Sequence, residues 1–182
     1  MIDTIKNALP DYAKDLKLNL SSVLAAGALT PAQSWGTALA SALAAGEPRT
    51  IAAVAAEAAT HVGPEVRNAA RIAAALMAMN NVYYRFTHLV AAKDYAEMRA
   101  GLRMNAMMNP GVPAADFELM SLAVSAINGC GMCMDSHEKT VRKHGVTPEQ
   151  VQAAVKIAAV IHAVSRTLAA EASLAEPLAA AA

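Results

Sequence analysis

Apolar residues, most of them alanine, fill long stretches of this chain, and short groups of proline, glycine and polar residues separate these stretches. A proline just inside a stretch and a glycine just past its end are typical of helix starts and ends. The pattern predicts no strand, and it predicts helices over residues 10–20, 31–45, 49–61, 64–88, 91–100, 113–128, 130–144 and 148–170. For the helix over 31–45, Thr30 is available as the cap and Gly46 follows the end.

Composition supports an all-α fold. The chain is 55% hydrophobic but only 4% aromatic, and alanine is the best helix former. A length of 182 residues suits one domain. We therefore expect a helical bundle over residues 1–175 and a frayed, disordered tail over 176–182, where a proline and a run of alanines end the chain.

Charge and patterning exclude several classes of function. Fifteen basic and fifteen acidic residues cancel, so no basic surface for nucleic acid or for an anionic membrane is expected. Lys156, His162 and Arg166 interrupt the best apolar stretch, and no membrane-spanning segment is predicted. Acidic and basic residues in the first 17 positions do not suit a signal or transit peptide, and a cytoplasmic protein is expected.

The two halves of the chain resemble each other. Residues 31–35 align with 113–117 at an offset of 82 (113 − 31), and residues 71–74 align with 156–159 at an offset of 85 (156 − 71). This predicts a scaffold half over 31–90 and a second half over 113–172; the alternative is chance similarity between alanine-rich helices. At the offset of 82, Cys130 and Cys133 face Pro48 and Ile51, so the chemistry lies in the second half.

The strongest chemical signal is Cys130-Gly-Met-Cys133, followed by His137. Cysteines at this spacing can close a reversible disulfide, and His137 lies one helical turn beyond Cys133. The start of a helix favours Cys130 as thiolate, whereas the imidazole favours Cys133, so these residues leave the attacking sulfur open. A zinc site and two inert buried thiols are alternatives. A c-type haem would need histidine directly after Cys133, where Met134 stands.

Glu118 is the second unusual residue, because nearly all its neighbours along residues 117–124 are apolar. A carboxylate in the first turn of a helix is explained by the helix dipole alone. The turn between helices 113–128 and 130–144 is so short, however, that Glu118 could reach and orient His137. In the zinc alternative, Glu118 is instead a possible fourth ligand beside Cys130, Cys133 and His137.

These residues resemble the alkylhydroperoxidase D family, within the carboxymuconolactone decarboxylase-like superfamily. The motif is Glu118, eleven residues, then Cys130-x-x-Cys133-x-x-x-His137, and it has the family's spacing throughout. Family members often carry histidine between the cysteines, where this chain has Met132. Supporting stretches extend over nearly the whole chain, at residues 8–15, 17–22, 79–82, 101–105, 109–111 and 117–130.

The resemblance implies an all-helical, trimeric, thiol-dependent peroxidase for alkyl hydroperoxides. It assigns Cys133 as the peroxidatic thiolate, Cys130 as proton donor and resolving thiol, and Glu118 and His137 as the relay. No cofactor is tightly bound: the implied reductant is dihydrolipoamide on a lipoylated acyltransferase. A peroxiredoxin of the alkyl hydroperoxide reductase C type is an implied partner. A disulfide carrier that only serves such a peroxiredoxin, and a structural zinc-binding protein, are the alternative functions.

Overall fold

The computed structural model describes residues 1–175, and this part of the chain is all-α, as predicted. Two short 3-10 helices lie at Asp11–Ala13 and Asn105–Met107. No strand occurs within residues 1–175, and the predicted tail over 176–182 lies outside the described residues. The helices are α1 (Ile2–Ala8), α2 (Lys14–Ala25), α3 (Pro31–Ala45), α4 (Pro48–His61), α5 (Pro64–Leu89), α6 (Asp94–Glu97), α7 (Ala114–Ile127), α8 (Gly131–Lys143) and α9 (Pro148–Ala175).

Local capping chemistry accounts for α3, whose bounds agree with the prediction. The Thr30 hydroxyl accepts a hydrogen bond from the Gln33 backbone N–H, and the Gln33 side chain accepts one from the Thr30 N–H. Gly46 ends the helix with a φ of 79°, in the left-handed region that favours glycine. The two ends of α3 were therefore readable from the sequence.

Two predictions about short segments are wrong. The helix expected over 10–20 is a 3-10 turn followed by α2, and the unpredicted helix α1 precedes it. Helix α1 exists because it buries Ile5 against α4, a contact between distant residues. The helix expected over 91–100 is reduced to Asp94–Glu97, which buries no residue, and a short helix without a buried face is marginal.

Helices α3 and α7 form the centre of the bundle. Ten consecutive residues of α3, from Gln33 to Ala42, are buried, so this helix has no solvent-facing side there. Helices α5 and α9 pack against both central helices. Close approach is possible because α3 carries Gly36, where an added Cβ would lie 2.2 Å from the Met120 side chain of α7.

Helix α9 corrects the expectation that no segment reaches membrane-spanning length. By length and composition alone it could cross a membrane, with a mean hydropathy of 1.4 over its most apolar 18-residue window. In the structure it packs against α2, α3, α4 and α7 and buries residues along its length, including Ile157, Ile161 and Leu168. These contacts are those of a core helix.

The helices fall into two groups of three with related packing. Helices α3, α4 and α5 have 15, 14 and 26 residues, and α7, α8 and α9 have 14, 13 and 28. Helix α3 packs on α9 as α7 packs on α5, and α4 contacts α9 as α8 contacts α5. Each group thus contacts the last helix of the other group, as expected for an approximate two-fold arrangement. The common origin of the two halves stays a prediction.

Candidate active site

The turn between α7 and α8 places Cys130 at the start of a helix, as the sequence predicts. Gly129 has a φ of 67° and ends α7. Cys130 is the N-cap of α8, its backbone N–H donates to the Ser125 carbonyl at 3.1 Å, and its sulfur accepts from the Cys133 N–H at 3.3 Å. Both cysteines therefore lie where unpaired backbone N–H groups and the helix dipole favour negative charge.

Cys130 and Cys133 are joined by a disulfide. Their Cα atoms are 5.3 Å apart, within the range that a disulfide requires. The two cysteines differ in accessibility, because Cys130 is fully buried whereas Cys133 is 6% exposed and lines a cavity. The sequence left open which sulfur meets a substrate, and the cavity reaches Cys133.

Glu118 and His137 are in direct contact. The Glu118 Oε2 lies 2.6 Å from the His137 Nδ1, although the residues are on different helices. His137 is buried on the same face of α8 as Cys133 and Val141, each four residues from the next. A carboxylate at Nδ1 holds the ring in one orientation and directs Nε2 to the other side.

The other ring nitrogen of His137, Nε2, contacts a residue that the sequence did not single out. Nε2 lies 3.2 Å from the thioether sulfur of Met77, on α5. Met77 is 1% exposed and has the sequence signature of an ordinary core methionine, so nothing in its surroundings along the chain marked it. A thioether is a weak hydrogen-bonding group, so this contact leaves Nε2 able to accept a proton.

A cavity of about 260 Å³ opens beside the disulfide. Its wall is mostly side chains with an apolar body, and it includes four methionines. Met132, which stands where family members often have histidine, is 37% exposed and forms part of this wall. The lining residues are Met77, Asn80, Tyr84, Met104, Met107, Met132, Cys133, Ser136 and His137.

A larger and more open depression of about 670 Å³ lies behind the turn. Arg71, Arg85, Asn81 and Asn128 contribute to it, and neither cysteine lines it. Because chemistry requires contact with the sulfur, the smaller cavity is the candidate substrate site.

Two amides that the sequence analysis did not assign hold the turn in place. The Asn81 side chain donates to the Ser125 hydroxyl at 2.9 Å and accepts from the Asn128 side chain at 3.0 Å. Asn81 lies on α5 and is 1% exposed, so these hydrogen bonds tie the end of α7 to the neighbouring helix. An amide pair at 80–81 within an apolar helix was the available signal.

Two further polar residues of α8 lie outside the site, as expected. The Glu138 side chain is 47% exposed and pairs with Arg142 at 3.8 Å. His144 is exposed at the C-cap of α8, where an imidazole complements the helix dipole.

The geometry does not resemble the alternative zinc site. Zinc would need thiolate ligands, and neither sulfur is a thiolate while the disulfide is closed. Over residues 1–175, no three histidine, cysteine, aspartate or glutamate side chains are arranged to hold a metal ion. The arrangement suits thiol–disulfide chemistry next to a base.

Comparison with known proteins gives a consistent result. The Carboxymuconolactone decarboxylase family profile matches residues 93–176. A protein of Maricaulis maris named alkyl hydroperoxide reductase AhpD is 61% identical over 170 residues, covering 93% of this chain and 98% of the relative. Proteins of the same name from Hyphomonas neptunium and Streptomyces coelicolor are each 56% identical over 174 residues, covering 96% of this chain and 97% and 98% of the relatives.

Proposed function

We propose a function from one premise: the chain belongs to the AhpD family, within the carboxymuconolactone decarboxylase-like superfamily. It is a thiol-dependent peroxidase that reduces alkyl hydroperoxides through the Cys130–Cys133 pair. The observation that carries the proposal is a disulfide whose accessible sulfur shares a cavity with His137, itself paired with Glu118 at 2.6 Å.

The first step consumes the peroxide. With the disulfide opened, His137 accepts the proton of the Cys133 thiol, directly or through a water, and the thiolate attacks the terminal peroxide oxygen. The O–O bond breaks, the sulfur becomes a sulfenic acid, and the alkoxide leaves as an alcohol after taking a proton from His137 or Cys130. Sulfur is oxidised by two electrons and the peroxide is reduced by two.

The second step restores the disulfide. The Cys130 thiolate attacks the Cys133 sulfur, the S–O bond breaks, and hydroxide leaves as water once it is protonated. The sum is one hydroperoxide and two thiols converted to one alcohol, one water and one disulfide. Closure is short-range, because the two Cα atoms are 5.3 Å apart in the product.

A dithiol must then reopen the disulfide, and we assign this role to dihydrolipoamide on a lipoylated acyltransferase. Cys130 is fully buried, so the reductant reaches Cys133 and forms the mixed disulfide there. A narrow cavity of about 260 Å³ favours a slender dithiol arm as the attacking group. Reduction of a partner peroxiredoxin would need its thiol to enter by the same route.

A homotrimer is part of the proposal, and exposed apolar side chains near the site support assembly. Phe86 and Tyr95 are 48% and 42% exposed and contact each other edge to face. Contiguous exposed apolar surface often marks an interface. The neighbouring exposed apolar residues are Val82, Leu89 and Met98.

One anaerobic experiment tests the proposed peroxidase activity. The reduced protein receives one equivalent of tert-butyl hydroperoxide, and free thiols, tert-butanol and protein mass are measured. We expect the loss of two thiols, one equivalent of alcohol and a mass two daltons lower, with recovery on addition of dihydrolipoamide. If peroxide is consumed only when a peroxiredoxin is added, the protein is a disulfide carrier and the peroxidase proposal is wrong.

A further inference from the structure

One polar side chain in the cavity wall is not used by the proposed mechanism. Asn80 lies on α5, is 5% exposed, and lines the cavity together with Cys133 and His137. Its Nδ2 donates to the sulfur of Met104 at 2.9 Å. Its Oδ1 is buried and has no hydrogen-bond partner among the described residues.

A buried amide oxygen without a hydrogen-bond partner destabilises the fold, and its presence needs a reason. In this orientation of the amide, a donor N–H faces the weakly accepting sulfur and the strong acceptor is left without a partner. His137, the other buried polar side chain of this wall, is paired with Glu118 through Nδ1, and its Nε2 is assigned to the proton of the Cys133 thiol. Asn80 Oδ1 is therefore a buried acceptor without a partner, on a residue that lines the cavity, and a ligand satisfies it when the amide turns toward the cavity.

We propose that Asn80 Oδ1 accepts the O–H of the hydroperoxide and so places its terminal oxygen at Cys133. The inference rests on the proposed peroxidase function and specifies its substrate: one end must carry an O–H, and the other must be an apolar alkyl group that packs against the methionines. The hydrogen bond is made to the oxygen that is transferred. The proton on that oxygen stays with it in the sulfenic acid, while the alkoxide takes its proton elsewhere.

This arrangement separates two kinds of reaction at the same sulfur. Attack on a hydroperoxide uses the Asn80 acceptor, whereas attack on a reagent without any O–H or N–H does not. Methyl methanethiosulfonate is such a reagent, and it is small and neutral. The ratio of the two rates isolates the hydrogen bond from any effect on the thiolate itself.

The test compares Asn80→Leu with the wild type and with Asn68→Leu, an exposed asparagine on the same helix. Leucine keeps the branched shape and the number of heavy atoms of the side chain but removes the acceptor. We expect oxidation of reduced Asn80→Leu by tert-butyl hydroperoxide to be about tenfold slower, modification by methyl methanethiosulfonate to be unchanged, and Asn68→Leu to match the wild type in both. Asn80→Ala, which also loses the acceptor, gives the same comparison if the leucine variant does not fold.

Two results overturn the inference. If both reactions slow by the same factor, Asn80 acts on the thiolate and not on the peroxide. If neither slows, the amide oxygen plays no part. Failure of the peroxidase proposal looks different, because then the wild-type protein itself would not be oxidised by the hydroperoxide.

Discussion

The start of α4 and the start of α8 have the same local structure and carry different chemistry. Each follows a left-handed glycine, Gly46 or Gly129. Each begins with an N-cap whose side chain accepts the N–H three residues on: Glu47 accepts from Thr50 at 2.6 Å, and Cys130 accepts from Cys133 at 3.3 Å. Two similar helix starts therefore hold a carboxylate–hydroxyl pair in one case and two sulfurs in the other.

This correspondence differs by one residue from the one that the sequence repeat predicted. The caps align at an offset of 83 (130 − 47), and the preceding helices begin at the same offset (114 − 31), whereas the sequence repeat aligned residue 31 with residue 113, at an offset of 82. The turn is one residue longer in the second half, because Gly46 alone separates α3 from Glu47, whereas Asn128 and Gly129 separate α7 from Cys130. Helix α7 is one residue shorter than α3, which keeps the offset at 83. Pro48, which the sequence alignment placed opposite Cys130, is instead the first residue of α4.

The difference between the two starts is one of hydrogen-bond strength. Burial disfavours the charge of Glu47, but hydrogen bonds from the hydroxyl and N–H of Thr50 and from Arg49 outweigh it and hold the pKa of Glu47 below its ordinary value. At neutral pH an anion therefore caps the N-terminus of α4. At α8 the acceptor is sulfur, a weak one, and the same backbone groups remain available to stabilise a thiolate whenever the disulfide opens.

The largest predicted effect is on peroxide reduction, and it comes from replacing the cysteines at the start of α8. Cys133→Ser should abolish peroxide reduction, since the attacking sulfur is gone. Cys130→Ser should still react once and stop at the sulfenic acid, because no resolving thiol remains. Reaction with a sulfenic-acid reagent, followed by peptide mapping, measures both outcomes.

Thr50→Val is the matched control for these variants, because Thr50 occupies the place of Cys133 in α4. It should lower thermal stability through the lost hydrogen bond to Glu47 and leave peroxide turnover per folded molecule unchanged. Labelling of Cys130 in Cys133→Ser would reverse the assignment of the two sulfurs.

The second prediction concerns the base, which α8 has and α4 lacks. At the offset of 83, the fully buried Val54 stands in the place of His137 (137 − 83). Glu118→Gln and His137→Phe should each slow thiol modification at neutral pH by about a hundredfold. The double variant should be little slower than either single one, because members of one relay are not additive.

The pH dependence of alkylation of the reduced protein measures this coupling. Glu138→Gln is the control, since that carboxylate lies on the same helix but pairs with Arg142 outside the cavity. Single effects that multiply would show that Glu118 and His137 act independently. If Glu118→Gln changes only the melting temperature and not the rate of alkylation, the carboxylate only stabilises the start of its helix.

The smallest predicted effect belongs to Glu47. Its folded pKa is lowered, so the stability it contributes is fully present above the unfolded value of about 4.3 and is lost as pH falls through the folded pKa. Glu47→Gln should therefore lose less stability than the wild type between pH 6 and pH 3, measured by denaturant unfolding.

Peroxide turnover at neutral pH provides the check on this variant. Glu47→Gln should retain it, because the carboxylate caps α4 and does not line the cavity. A loss comparable to that of a relay variant would mean that the two helix starts are not functionally separate.

The sequence alone determined those features that depend on neighbours along the chain. Capping residues and left-handed glycines act within one turn, which is why the bounds of α3 and the helix start at Cys130 were predictable. The spacing of Cys130, Cys133 and His137 on one helix face likewise follows from helix geometry. The segments that failed, α1 and residues 91–100, depend on whether a distant partner buries them.

Only the tertiary structure decided the surroundings of the reactive sulfur. Met77 and His137 are 60 positions apart, and Asn81 and Ser125 are 44 apart. Met77, Asn80 and Asn81 belong to a helix whose own sequence does not distinguish a core-filling side chain from one that faces the site. Their roles arise because α5 packs against α7 and α8, and packing between helices is set by the whole core rather than by any local pattern.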